Sequence, residues 1–231
     1  MKTAVVTGGT KGIGFAIARR LVADGFAVIA AARHEADLPT GVDFARLDVT
    51  NAEEVRQFFA GLPRLDLLVN NAGLAGADPA DEDENFWDAV LATNLTGAMR
   101  CSRAALRILP DRTGRIVNIA SVLGLRGVPD QIAYCAAKHG VVGLTRALAM
   151  AAAPRGITVN AVCPGWVDTD MARQRFAELG MTAEQAAAGV PTGRIATPYE
   201  VAEMVAFLSR VGAGSVTGQA LVVDGGALTH A

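Results

Sequence analysis

Two groups of residues have the types and spacing that chemistry needs. The first is Tyr134-Cys135-Ala136-Ala137-Lys138, where a phenol and an ammonium stand four residues apart. On a helix that spacing puts both groups on one face, so they can meet one site. A phenol with an ordinary pKa of about 10 is a reluctant proton donor near neutrality, and a nearby ammonium favours the phenolate and lowers that value. Ser121 lies thirteen residues before Tyr134, just past a β-branched run, where its hydroxyl can hold a carbonyl oxygen beside the phenol. The second group is Thr7-Gly8-Gly9-Thr10-Lys11-Gly12-Ile13-Gly14, which follows a short apolar run and opens a helical one. Glycines let the backbone turn tightly against a pyrophosphate, and a helix N-terminus offers free N–H groups and partial positive charge. Gly8, Thr10, Lys11, Gly12, Ile13 and Gly14 are therefore expected to cradle a dinucleotide.

The form of that dinucleotide is read after the second strand. A carboxylate there would hold a ribose 2′-hydroxyl, whereas a cation accommodates a 2′-phosphate. The strand ends Ala30-Ala31-Ala32-Arg33. Arg33 can form a charge-assisted fork to a phosphate and Lys11 can add a second cation, which favours NADP(H). The competing reading makes Arg33 a solvated loop residue.

These groups need elements to position them. Residues 4–6, 27–30, 67–69, 116–119, 158–162 and 221–223 read as strands, with 44–47 a weaker candidate. Their near-continuous apolar character suggests burial on both faces of a parallel sheet. Residues 15–23, 52–60, 85–109, 132–153 and 199–208 read as helices, and Ile13, Ile17 and Leu21 give the first an apolar stripe. Alternating strand and helix predicts a doubly wound α/β Rossmann fold: one domain, about seven parallel strands, helices on both faces. Residues 34–43 leave room for a turn or two but no covering helix, so the sheet edge there is expected to be thinly covered. The acidic stretch 78–84 reads as a solvated loop.

Composition excludes other classes. The 231 residues are 51% hydrophobic and 19% charged, and 21 basic against 23 acidic side chains give a formal charge of −2 with no basic cluster for nucleic acid. No apolar run approaches the roughly 20 residues that span a bilayer. Cys101, Cys135 and Cys163 show neither metal spacing nor an even disulfide set, and His34, His139 and His230 read as bystanders. No metal is expected, and a cytoplasmic location is.

From residue 3 to residue 226 the sequence resembles the short-chain dehydrogenase/reductase family. The resemblance rests on residues 7–14, Asp48-Val49, Asn70-Asn71-Ala72-Gly73, Asn94, Ser121, Tyr134, Lys138 and Pro164-Gly165-Trp166-Val167-Asp168-Thr169. It implies a catalytic tetrad of Asn94, Ser121, Tyr134 and Lys138. Tyr134 would be the general acid, Ser121 would orient the carbonyl, Lys138 would bind the nicotinamide ribose and depress the tyrosine pKa, and Asn94 would hold a relay water. Asp48 and Val49 would face the adenine, and Asn71, Ala72 and Gly73 would lie along the cofactor. Pro164, Gly165, Val167 and Thr169 would stand at its nicotinamide end, while Trp166 reads as a packing residue.

Within the family the chain is most similar to 3-oxoacyl-thioester reductases, including polyketide ketoreductase-like members, on residues 190–194, 201–208 and 216–226. The implied activity is NADPH-dependent reduction of a ketone, most plausibly a 3-oxoacyl thioester. The alternatives are an NADP-dependent secondary-alcohol dehydrogenase on a non-thioester substrate and, more remotely, a non-catalytic cofactor-binding regulator. The resemblance also implies a homotetramer built through residues 85–109 and 132–153 and the C-terminal segment. It further implies docking of an acyl carrier protein through Arg112 and Arg155 near the active-site mouth. Residues 170–189 would form a mobile lid, with Met171, Phe176, Leu179 and Met181 lining an apolar pocket.

Overall fold

Seven runs rich in β-branched and small apolar residues form one parallel sheet in a computed structural model that describes residues 1–78 and 84–229. The strands are β1 (Lys2–Thr7), β2 (Phe26–Ala32), β3 (Val42–Arg46), β4 (Leu67–Asn70), β5 (Arg115–Ile119), β6 (Thr158–Pro164) and β7 (Ala220–Val223). Their spatial order is β3-β2-β1-β4-β5-β6-β7. Every residue of β4, β5 and β6 is buried, as near-continuous apolar runs predict, whereas β3 and β7 at the two edges have no fully buried residue. The weaker strand candidate is thus a real edge strand, and residues 33–41 before it contain no helix.

The period of two along each strand divides the core. Ala4, Val6, Leu67 and Val69 face one layer, where Ile17 and Leu21 of α1 (Gly12–Ala23) meet Val201, Val205 and Leu208 of α8 (Pro198–Ser209). Val5, Leu68, Ile116 and Val159 face the other layer. There they meet Val55 and Phe59 of α2 (Ala52–Ala60), Cys101 and Ala105 of α4 (Ala98–Leu106), and Ala149 of α5 (Ile132–Ala152). Each large side chain buried this way contributes about 1.5–3 kcal/mol relative to exposure.

Two features depart from expectation. Residues 85–109 do not form one helix. Instead α3 (Glu84–Leu91) passes into a π-helical turn, Ala92–Gly97, before α4 continues. An i→i+5 turn shifts the side chains that follow it, and here it carries Asn94 into the interior. The acidic stretch is also not a wholly solvated loop: Asp78 is buried, while residues 79–83 lie outside the described residues.

A buried polar chain crosses the α5 side of the sheet. Asn70 Nδ2 donates to Ser102 Oγ and to Asn118 Oδ1, and Asn118 Nδ2 donates to Thr145 Oγ1 on α5, each at 2.8 Å. These bonds fix the register of α5 on β5, because a slip of either partner would strand buried polar groups. Asn118→Ala is expected to lower unfolding stability by about 1–3 kcal/mol in urea titrations.

Candidate active site

The strand order reverses direction between β1 and β4, and in open α/β sheets ligands sit at such a switch point, beyond the carboxyl ends of the strands. Both predicted groups lie there. The turn after β1 leads into α1, whose N-cap residue Lys11 is extended and makes no side-chain capping bond, and whose first turn holds no acidic residue. Other helices differ: Asn51, Thr169, Thr182 and Thr197 each cap theirs with a side chain. The N–H groups at Gly12, Ile13 and Gly14 and the positive end of the helix dipole are therefore left for an anion.

Close packing holds this turn in shape. Gly8 has a left-handed φ of 63° and its N–H donates to Ala31 O at 2.8 Å. At Gly14 a Cβ would stand 2.2 Å from Gly8 O and 2.5 Å from Asn71 Nδ2, so no larger residue fits. Asn71 Nδ2 donates to Thr7 O and Gly8 O at 3.0 Å each, which seats the turn against the end of β4. The hydroxyl of Thr7, at the tip of β1, accepts from the N–H groups of Asn71 (3.0 Å) and Ala72 (3.1 Å). Thr10 lies in the turn, and Lys11 is exposed at its outer side.

Arg33 follows directly on the last residue of β2, exposed, with Ala31 and Ala32 leaving the strand end free of carboxylates. Its charge reaches Asp48. Burial pushes the Asp48 carboxyl up, but bonds from Thr50 N (2.9 Å) and Thr50 Oγ1 (2.8 Å), together with Arg33, hold it below its ordinary value. Val49 is buried in the core, and a Cβ on Gly97 of the π turn would approach its Cγ2 to 2.7 Å.

The four residues of the expected tetrad converge from three elements. Tyr134 and Lys138 share one face of α5, and Ser121 follows β5. Ser121 Oγ accepts from Leu123 N at 3.1 Å, and its hydroxyl is near enough to the Tyr134 phenol to favour the phenolate. Lys138 is buried, its Nζ donating to Ile119 O at 2.8 Å and lying 5.4 Å from the centre of the Tyr134 ring. Asn94 turns its amide to the backbone of Leu74: Oδ1 accepts from Leu74 N at 2.7 Å and Nδ2 donates to Leu74 O at 2.8 Å. Gly73 lies between these groups, for a Cβ there would be 3.5 Å from Asn94 Oδ1 and 4.0 Å from Lys138 Nζ.

The expected effect of Lys138 on the phenol is not what the structure shows. Burial pushes Tyr134 up to about 12 even though its Ser121 hydrogen bond opposes the shift. Burial also pulls Lys138 down to about 8. With the ammonium engaged by Ile119 O, desolvation dominates, and the phenol is held protonated, the form an acid must have. Cys163, beside Ser121 and Lys138, is likewise pushed up to about 11 by burial and stays a thiol.

After β6, Pro164 and Gly165 leave the sheet, Gly165 N donating to Val223 O at 3.0 Å. Val167 is buried and bridged to Ala196. Thr169 caps α6 (Asp170–Glu178) through Ala172 N, and its methyl faces Gly12, 3.6 Å from where a Cβ there would be. This segment therefore closes on the glycine turn.

Two further expectations are corrected. Of the four apolar residues assigned to the pocket, Met171 and Leu179 are exposed. Phe176 and Met181 instead pack with Ala172, Trp166 and Ile195 in a small core belonging to α6, α7 (Ala183–Ala188) and their flanks. Trp166 and Phe176 pack with ring centres 4.9 Å apart and planes tilted by 56°, so the tryptophan is a packing residue. Arg112 and Arg155 precede β5 and β6, at the edge of the sheet opposite the tetrad. Arg112 N donates to Arg155 O at 2.7 Å, and the Arg155 guanidinium is held by Asp111 and by Leu109 O. Within one subunit this pair does not flank the cleft.

One positioning residue has no local sequence signal. The residue before α5, Gln131, makes no side-chain cap. Asp78, more than fifty residues earlier, supplies one: its Oδ2 accepts from Ala133 N at 2.5 Å and its O accepts from Ile132 N at 3.2 Å. The carboxylate thus satisfies one free N–H and the Asp78 backbone carbonyl another, and the carboxylate faces the positive end of the dipole, one residue from Tyr134.

The glycine cradle, the open N-terminus of α1 and the cations Lys11 and Arg33 fit a dinucleotide carrying a 2′-phosphate. No group of described residues could hold a metal ion, and no described helix is long and apolar enough to cross a membrane. A family model described as enoyl-(acyl carrier protein) reductase matches residues 8–228. The chain is 44% identical over 251 residues to a protein of Streptomyces virginiae named for the ketoacyl reductase of the monensin polyketide synthase, covering 97% of this chain and 96% of that one. It is 39% identical over 243 residues to the 3-oxoacyl-[acyl-carrier-protein] reductase FabG of Vibrio cholerae, with the same coverage. Among solved structures, an actinorhodin polyketide ketoreductase with NADPH aligns at a TM-score of 0.90 and 42% identity over 98% of this chain and 97% of that one. The chain belongs to the short-chain dehydrogenase/reductase family. It is an NADP(H)-dependent oxidoreductase that reduces ketones.

Two outcomes are expected. Ketone reduction, followed as kcat/KM against pH at saturating NADPH, should fall as pH rises through about 8, where Lys138 loses its proton while Tyr134 keeps its own. A flat profile there would contradict the assignment. Asp78→Ala should cost about 0.5–2 kcal/mol of stability and lower kcat more than it weakens NADPH binding.

Proposed function

We propose that the protein reduces a 3-oxoacyl thioester to the 3-hydroxy product. The observation that carries this reading is the buried Lys138 ammonium, held on Ile119 O at 2.8 Å and 5.4 Å from the Tyr134 ring centre, with Ser121 beside the phenol at the open end of the glycine cradle. The names of the ketoacyl reductases aligned over nearly the whole chain support the substrate class.

Gly8, Thr10, Gly12, Ile13 and Gly14 would hold the pyrophosphate, with Lys11 and Arg33 on the 2′-phosphate and Asp48 and Val49 at the adenine end. Asn71, Ala72 and Gly73 would border the middle of the cofactor, and Pro164, Gly165, Val167 and Thr169 its nicotinamide end. Bound NADPH supplies a hydride to the carbonyl carbon. Ser121 and Tyr134 present two hydroxyls to the carbonyl oxygen, and Tyr134 Oη gives its proton as the oxygen gains the electron pair of the C=O π bond. A tyrosinate forms, and the Lys138 ammonium stabilises it until a proton returns. Asn94 links the loop after β4 to the π turn and would hold the water through which that proton arrives. Charge is thus met by groups already oriented, with little reorganisation.

A second reading, a secondary-alcohol dehydrogenase, has one observation in its favour. An aldohexose dehydrogenase of Thermoplasma acidophilum aligns at a TM-score of 0.94 with 33% identity, covering 100% of this chain and 95% of that one. Initial rates with NADPH and acetoacetyl-CoA should exceed those with NADP⁺ and simple alcohols or sugars; the reverse order would favour the second reading. Tyr134→Phe should abolish turnover while NADPH still binds, and retention of the parent rate would remove the general-acid role. Arg33→Ala should weaken NADPH by about tenfold, roughly one strong ionic contact, and leave NADH unchanged; equal losses would defeat the 2′-phosphate assignment.

A further inference from the structure

The segment leading into Tyr134 is tied to the lid by an ion pair that differs from the others on the molecule. Arg175 lies in the middle of α6, a helix otherwise rich in exposed polar side chains. Its neighbour Arg173 shows 57% of its side chain to solvent and pairs with the exposed Asp168 and Asp170. Arg175 shows 9%, the lowest of any cation in the described ion pairs. Its Nη2 binds Asp130 Oδ2, 45 residues away in sequence, and its Nη1 binds Glu178 Oε2 at 2.8 Å within the same helix. An exposed pair contributes little, but the Arg175 guanidinium has lost most of its hydration and needs its partner, whereas the Asp130 carboxylate keeps 39% of its side chain in solvent.

Asp130 stands four residues before Tyr134 and just outside α5, so it sits where the catalytic helix begins. Its backbone is already clasped, since Asp130 O accepts from Asp78 N at 2.9 Å and Asp78 in turn caps α5. The loop after β4, the start of α5 and the lid therefore meet at one point. The lid arrives there as a unit, because Phe176, Ala172, Ala186 and Trp166 give it a core of its own. Motion of such a body is governed by its few attachments, and Arg175–Asp130 is the attachment made to the helix that carries the acid.

We propose that Arg175 is a positioning residue for ketone reduction: through Asp130 it latches the lid against the start of α5, so that closing over the ketone and aligning the Tyr134 phenol are one event. Its own contacts are with the lid and the approach to α5, not with the glycine cradle, so NADPH affinity depends on it far less than ketone binding does.

The test is steady-state kinetics with NADPH and a ketone that the parent enzyme reduces, on Arg175→Gln, Asp130→Asn, the double variant, Arg175→Lys and Glu178→Gln. Each of the first two should raise the ketone KM by about tenfold, with a smaller fall in kcat and NADPH Kd within about twofold of the parent. The double variant should be no worse than the weaker single variant, because both remove the same contact. Arg175→Lys should recover most of the loss, and Glu178→Gln, which cuts only the bond within α6, should stay within about twofold. If Arg175→Gln does not fold, Asp130→Asn against Glu178→Gln carries the comparison. An unchanged ketone KM in Asp130→Asn, multiplied losses in the double variant, or an equal loss in Glu178→Gln would overturn the latch.

Discussion

The seating of α5 on β5 is the constraint on which the catalytic arrangement depends. Tyr134 and Lys138 are on the helix, while Ser121 and the Ile119 carbonyl belong to the strand and its exit, so the site exists only when the two are in register. That register is set inside the protein by the Asn118–Thr145 bond and at the end of the helix by Asp78. Both are polar contacts in dry surroundings, where an unmet donor or acceptor costs more than the made bond returns. Small apolar side chains such as Ala149 and Ala152, packed with Ile116 and Val159, let the helix approach; the hydrogen bonds choose among the approaches.

Burial at this junction also decides the protonation states. A phenol and an ammonium removed from water move in opposite senses, the phenol up to about 12 and the amine down to about 8, because each disfavours its charged form. The site thus holds a protonated phenol beside an amine close to the point of losing its proton. At the other end of the cleft the field is fixed rather than titratable. The uncapped start of α1, Lys11 and Arg33 form a positive region in a chain whose formal charge is only −2. The protein separates a region that grips anions from one that handles a proton, and the end of β4 joins them through Asn71 and Gly73.

Much of this was legible in the sequence because it depends on local period and spacing. Continuous apolar runs marked the buried strands, and even the weak run at 44–47 proved to be a strand, its half-buried pattern reflecting its place at the edge. The four-residue spacing of Tyr134 and Lys138 was enough to place them on one face. The π turn was not legible: no residue in Ala92–Gly97 announces an i→i+5 step, and the apolar pattern runs through it. Nor was the packing within residues 170–189, where Phe176 and Met181 were expected to face substrate but pack against Trp166 and Ile195, residues whose proximity arises only after the chain has returned from β6.

The sequence by itself determined the alternation of strands and helices, the cradle at the first turn and the shared helix face of Tyr134 and Lys138, since each follows from neighbours within about one helical turn of chain. Tertiary structure alone decided that Asp78 caps the catalytic helix, that Arg175 finds Asp130, that Arg112 and Arg155 stand at the far edge of the sheet, and that the phenol is pushed up rather than down. The reason is common to all four. Hydrogen-bond partners, sides of a sheet and loss of hydration are properties of what surrounds a group in space, and residues far apart along the chain supply those surroundings.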